Sequence, residues 1–110
     1  SFKITGATLK PTEIKIGDVI TTFIGSKSRP AVIVKVLQDR TMILIPLTST
    51  ENIHCLTPYK SRFFGEGCFS KTVEICSEEF ALEHFVGTFD NNTALKLAKK
   101  ELKEFLIKNL

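Results

Sequence analysis

A chain of 110 residues has room for one domain with its own core and not for two. With 43% hydrophobic and 25% charged residues it has an ordinary globular composition, and no apolar run reaches the roughly 20 residues of a membrane-spanning helix. The net charge of +3 is too small to name a partner, and three cysteines (Cys55, Cys68, Cys76) at spacings of no disulfide framework or C-x-x-C pair predict unpaired thiols in a reducing cytoplasm.

Taken in chain order, the elements read mostly as strands. Residues 16–24 (IGDVITTFI), 30–37 (PAVIVKVL) and 41–47 (TMILIPL) are short runs rich in β-branched residues, bounded by Gly, Pro and Ser. Gln38, Asp39 and Arg40 make a tight connection, so the second and third runs are expected to pair as an antiparallel hairpin. Residues 48–70 read as a long polar excursion with Pro58, Gly65 and Gly67 and one internal strand near 59–64, the kind of segment that carries function on a small scaffold. Two further strands are predicted at 71–75 and 84–89. From residue 93 the period becomes helical: Leu95, Ala98, Leu102, Phe105 or Leu106, and Leu110 form an apolar stripe, with Asn92 or Thr93 as the expected N-cap. This pattern predicts a mainly β domain, a closed or nearly closed barrel with a C-terminal helix.

Charge is distributed unevenly. Lys27, Arg29, Lys35, Arg40, Lys60, Arg62 and Lys71 face only Asp39, Glu51 and Glu66 between residues 27 and 71, an excess of four positive charges, whereas residues 72–110 are net acidic. A basic segment suits an anionic partner, nucleic acid first. Tyr59, Phe63 and Phe64 interleave with Lys60 and Arg62 in the manner of a single-strand reader, where aromatic faces stack on bases and cations hold phosphates. The His54, Cys55, Cys68, Cys76 and His84 set lacks the close ligand spacing of a zinc site, so no metal is expected.

The ordered set GDVI (17–20), a Gly/Ser/Lys loop, RPAVIV (29–34) and IPLTS (45–49), followed by HFVGTFDNNTALKLAKKELKEFL (84–106), resembles the MazF/PemK/Kid-type toxins, the ribonuclease halves of type II toxin–antitoxin pairs. The likeness spans residues 16–110, within a single domain whose core is roughly 14–110. It implies an SH3-like or CcdB-like barrel, a homodimer, a cognate antitoxin protein, and metal-independent cleavage of single-stranded RNA with no cofactor. In that family the Arg of the RP motif and the Thr after the third core strand carry the chemistry, which maps onto Arg29 and Thr48.

Attack by a 2′-hydroxyl concentrates charge on the phosphorus oxygens. A planar, permanently charged guanidinium suits that phosphate, and a threonine hydroxyl can fix a non-bridging oxygen. The product class implied is a 2′,3′-cyclic phosphate with a 5′-hydroxyl. Lys27, Ser49, Thr50, His54, Tyr59, Lys60 and Arg62 are the expected RNA contacts. The chain departs from the family pattern in having no Trp and no acidic residue in the GSKS loop (25–28), and Asp39 is misplaced for the extra acid of some members. Glu74, flanked by Val73 and Ile75, is a freer candidate for that acid. The alternative reading is a non-catalytic barrel that binds nucleic acid or a protein target, as a gyrase poison does.

Overall fold

The computed structural model describes residues 11–24 and 27–110. Its strands are β1 (Asp18–Ile24), β2 (Lys27–Val36), β3 (Met42–Thr48), β4 (Cys55–Ser61), β5 (Gly65–Ser70), β6 (Glu74–Cys76) and β7 (Phe85–Thr88), with helices α1 (Glu78–Glu83) and α2 (Asn92–Lys108). All pair antiparallel in the order β4-β5-β3-β2-β1-β7, and β6 joins β3 off that path.

Residues 31–34 of β2 and 42–47 of β3 are apolar without interruption because both faces of the sheet are covered there. Alternate side chains go to opposite faces of a strand. Val19, Val32, Ile45 and Leu47 therefore meet Phe69, Phe89 and the Leu95, Ala98 and Leu102 stripe of α2, while Ile20, Ala31, Ile33, Met42 and Leu44 meet Ile14 and Ala81 of α1. Fully burying each such side chain is worth about 1.5–3 kcal/mol, so two cores on one sheet give this small chain its stability.

The sheet is open, not the closed barrel expected from the strand pattern. β4 pairs only with β5, and β7 only with β1, so both ends of the path are edges. The presumed excursion at 48–70 contains a complete hairpin, β4 and β5. Pro58 is tolerated because β4 is an edge strand, where a missing N–H costs no ladder bond on the outer side.

Gly67 is required by close approach: a Cβ there would lie 2.7 Å from the Tyr59 hydroxyl and 2.9 Å from the Thr48 carbonyl oxygen. The short helix α1 was not expected. Ser77 caps it by accepting from the Phe80 N–H, and six residues are too few to display a helical period.

The long helix starts one residue before the expected caps, with Asn91 accepting from the Ala94 N–H. Its stripe ends at the half-buried Phe105; Leu106 and Leu110 are exposed.

Arg40, at the β2–β3 turn with φ 66°, belongs to a clamp. Its guanidinium bonds both Glu78 carboxylate oxygens and the Ile14 carbonyl (2.9 Å), and it pairs with Glu13 at 3.4 Å. The turn, α1 and the segment before β1 are thereby joined, and a charge counted in the basic segment is neutralised.

The Arg40 hydrogen bonds hold the Glu78 carboxyl below the ordinary glutamate range. A carboxyl whose pKa is lower folded than unfolded contributes stability above the unfolded value and loses it as pH falls through the folded one. Glu78→Gln should therefore flatten the acid side of the stability-versus-pH curve, measured as denaturant midpoints. Identical acid dependence in both proteins would contradict the clamp.

Candidate functional site

β3 has one neighbour on its β2 side and two on the other. β6 pairs with Met42, Ile43 and Leu44, and β5 pairs with Leu47 and Thr48. Between them lies Pro46, which has no N–H to offer either strand. On the opposite side the β2–β3 ladder ends at Ala31↔Pro46. Beyond that pair, β2 continues against β1 (Arg29↔Thr22) and β3 against β5 (Thr48↔Cys68). Two residues past Ala31↔Pro46 in each strand, the same register carries Arg29 and Thr48 to the same face of the sheet.

A cleft of about 320 Å³ opens there, within the usual range for ligand sites. Arg29, Thr48 and His54 line it, with Pro46 and Leu47 and with Asn52, Ser70, Thr72 and Glu74. The two residues expected to carry chemistry are thus brought together. Arg29 lies within β2 rather than just ahead of it, and its carbonyl accepts from the Thr22 hydroxyl at 3.1 Å. Among the described residues its guanidinium has no hydrogen-bond or ion-pair partner. A half-buried, unpaired guanidinium in a polar cleft is suited to an anion.

The wall carrying His54 is fixed by its backbone. The His54 N–H donates to Asn52 Oδ1 at 2.8 Å, and its carbonyl accepts from the Lys71 N–H at 2.8 Å. The next residue, Cys55, is disulfide-bonded to Cys68, with Cα atoms 5.4 Å apart. This corrects the expectation of unpaired thiols. The spacing of the cysteines shows no framework because the β4–β5 hairpin supplies the proximity, folding Cys55 and Cys68 into range. The bridge also removes the ground on which a reducing cytoplasm was expected. Cys76 remains free, and burial together with the Glu74 charge pushes its thiol up.

The other expected RNA contacts are not gathered at this cleft. Lys27 is exposed at the start of β2 and Ser49 is exposed just past Thr48. Thr50, Tyr59 and Lys60 border a different concavity of about 390 Å³ beside the start of α2. Tyr59 is 7% exposed, its ring packed on Phe69 and Phe89 at 5.1 and 5.2 Å. Burial pushes its phenol up. Tyr59 is therefore a core residue and offers no free face to a base.

Phe64 also packs on that core, and Phe63 is exposed. Arg62 sits at the hairpin tip, whose backbone is tied to the start of α2: Asp90 accepts from the Ser61 hydroxyl and the Arg62 N–H, and Asn91 donates to the Lys60 carbonyl at 2.9 Å. Of the GSKS loop, Gly25 and Ser26 lie outside the described residues. From the sequence Glu74 was an outward strand residue and, through the family likeness, a candidate for the extra acid. Nothing there placed it, Asn52, Ser70 or Thr72 in a cleft with Arg29.

No protein-family model matches the chain, and neither a curated protein nor a solved structure matches it. Among the described residues no helix is long and apolar enough to cross a membrane.

The disulfide yields a direct count. Of three cysteines, one should react with a thiol reagent in the unfolded, unreduced protein and all three after reduction. By the chain-entropy estimate for a loop of this size, reduction should lower unfolding free energy by about 3 kcal/mol. Three reactive thiols before reduction would contradict the bridge.

Proposed function

We propose that the chain is an endoribonuclease that cleaves single-stranded RNA by 2′-hydroxyl attack, acting as the toxin of a toxin–antitoxin pair. The observation that carries this reading is the meeting of Arg29 and Thr48 in one cleft with an unpaired guanidinium. Further support comes from the motif likeness of RPAVIV and IPLTS, the residues that deliver these two side chains. Arg29 holds the scissile phosphate and stabilises its transition-state charge, while the Thr48 hydroxyl donates to a non-bridging oxygen. The reading extends to a second copy of the chain as a dimer partner and to an acidic antitoxin segment covering Arg29.

The purified chain, incubated with a long single-stranded RNA in EDTA, should generate fragments ending in a 2′,3′-cyclic phosphate. Arg29→Ala should slow this by about 10²–10³-fold, and Thr48→Ala should also lose cleavage, both with unchanged thermal unfolding because neither side chain is in a core cluster. Cleavage that requires added divalent metal, or that survives Arg29→Ala, would contradict the assignment.

A further inference from the structure

Arg29 and Thr48 leave the proton transfers of the proposed reaction unassigned. A 2′-hydroxyl must lose a proton as it attacks, and the departing 5′-oxygen must gain one. An arginine keeps its proton in proteins, and a threonine hydroxyl is no base at neutral pH. The cleft contains one carboxylate and one imidazole besides these, Glu74 and His54. They reach it from different parts of the chain, and the backbone of each is held in place. Glu74 lies in β6, paired with Leu44 of β3. His54 is pinned by its bonds to Asn52 and Lys71 and by the neighbouring Cys55–Cys68 bridge.

We propose that Glu74 and His54 are the general base and general acid of this site, an inference that rests on the ribonuclease reading above. The 2′-hydroxyl proton passes to the Glu74 carboxylate as the O2′–P bond forms. The P–O5′ bond breaks, and its electron pair on O5′ takes the proton of the His54 imidazolium. The products are the 2′,3′-cyclic phosphate and the 5′-hydroxyl, and exchange with water returns each group to its starting state.

The roles follow from the chemistry of the two functional groups: a carboxylate can accept a proton, and an imidazolium can donate one. Arg29 lines the same cleft from β2. The remaining lining groups are neutral. The Lys71 ammonium is not among them; it stands 5.5 Å from the Phe105 ring, on the α2 side. Cys76, two residues from Glu74, lines the neighbouring concavity beside Phe23 and Phe80, which Glu74 also borders, and its thiol feels the Glu74 charge.

The test is the pH dependence of single-stranded RNA cleavage in EDTA, with the full chain and its variants. The wild type should show a bell, because the reaction needs one group ionised as base and one protonated as acid. Glu74→Gln should remove the acid limb and His54→Asn the alkaline limb, each with a loss of about 10²-fold or more. Added imidazole should restore part of the activity of His54→Ala and none of that of Arg29→Ala. Unfolding midpoints measured alongside separate chemistry from folding.

Variants that keep both limbs, whatever their rate, would overturn the pair as proton carriers. If in that case Arg29→Ala were still inactive, the ribonuclease reading would stand without it. A wild type that leaves the RNA intact would overturn both.

Discussion

The arrangement of β3 is the constraint on which the site depends. One edge of this strand has to serve two partners, because β6 occupies its first three residues and β5 its last two. Pro46 stands at the change-over and supplies no donor, so the ladder can be interrupted there without leaving a backbone N–H unsatisfied. The interruption coincides with the end of the β2–β3 ladder, and it is where the cleft opens. Both flanks are stiff: the two core clusters clamp β2 and β3 from opposite faces, which holds Arg29 and Thr48 on rigid strands. Such placement fixes functional side chains better than a loop does.

The chemistry of the cleft differs from that of the rest of the basic segment. Arg40 is neutralised by Glu78 and Glu13, and Lys60 lies 4.0 Å from Glu66 in an exposed pair. Arg29 alone combines partial burial, an unpaired guanidinium and a polar enclosure among the described residues that line the cleft. Partial desolvation strengthens its attraction for a phosphate relative to that of a fully exposed lysine such as Lys27 or Lys60. Net charge therefore says less about binding than this one placement. The disulfide acts on the other wall, limiting the freedom of the segment that presents His54.

The sequence reveals the paired part of β2 and β3 clearly, because residues 31–34 and 42–47 are unbroken apolar runs and the Gln38–Arg40 turn is short. It also places Arg29 and Thr48 beside the apolar runs of those strands, and the buried stripe of α2 is readable from Leu95, Ala98 and Leu102. The β4–β5 hairpin is obscured because Pro58, Gly65 and Gly67 are all strand breakers in isolation; an edge position and the packing of Tyr59 over Gly67 make them acceptable. The Cys55–Cys68 bridge is hidden for the same reason, since only that hairpin brings the two residues together. Tyr59 looks like a stacking platform beside Lys60, but strand alternation turns it inward to Phe69 and Phe89 while Lys60 faces out. Closure could not be read from a list of strands, because it depends on whether β4 and β7 meet, and they do not. Glu74 entered the site through the β3–β6 register, which no local pattern encodes.

The claim that single-stranded RNA lies in the cleft at the end of β3 is tested most directly by binding, independently of turnover. Isotope-labelled protein titrated with a short RNA made uncleavable by 2′-O-methylation should show its largest backbone shifts at Arg29, Thr48, His54 and Glu74, the residues that surround the cleft. Shifts centred on Arg62 and Phe63 at the hairpin tip, or on the exposed face of α2, with the cleft residues unmoved, would contradict the account.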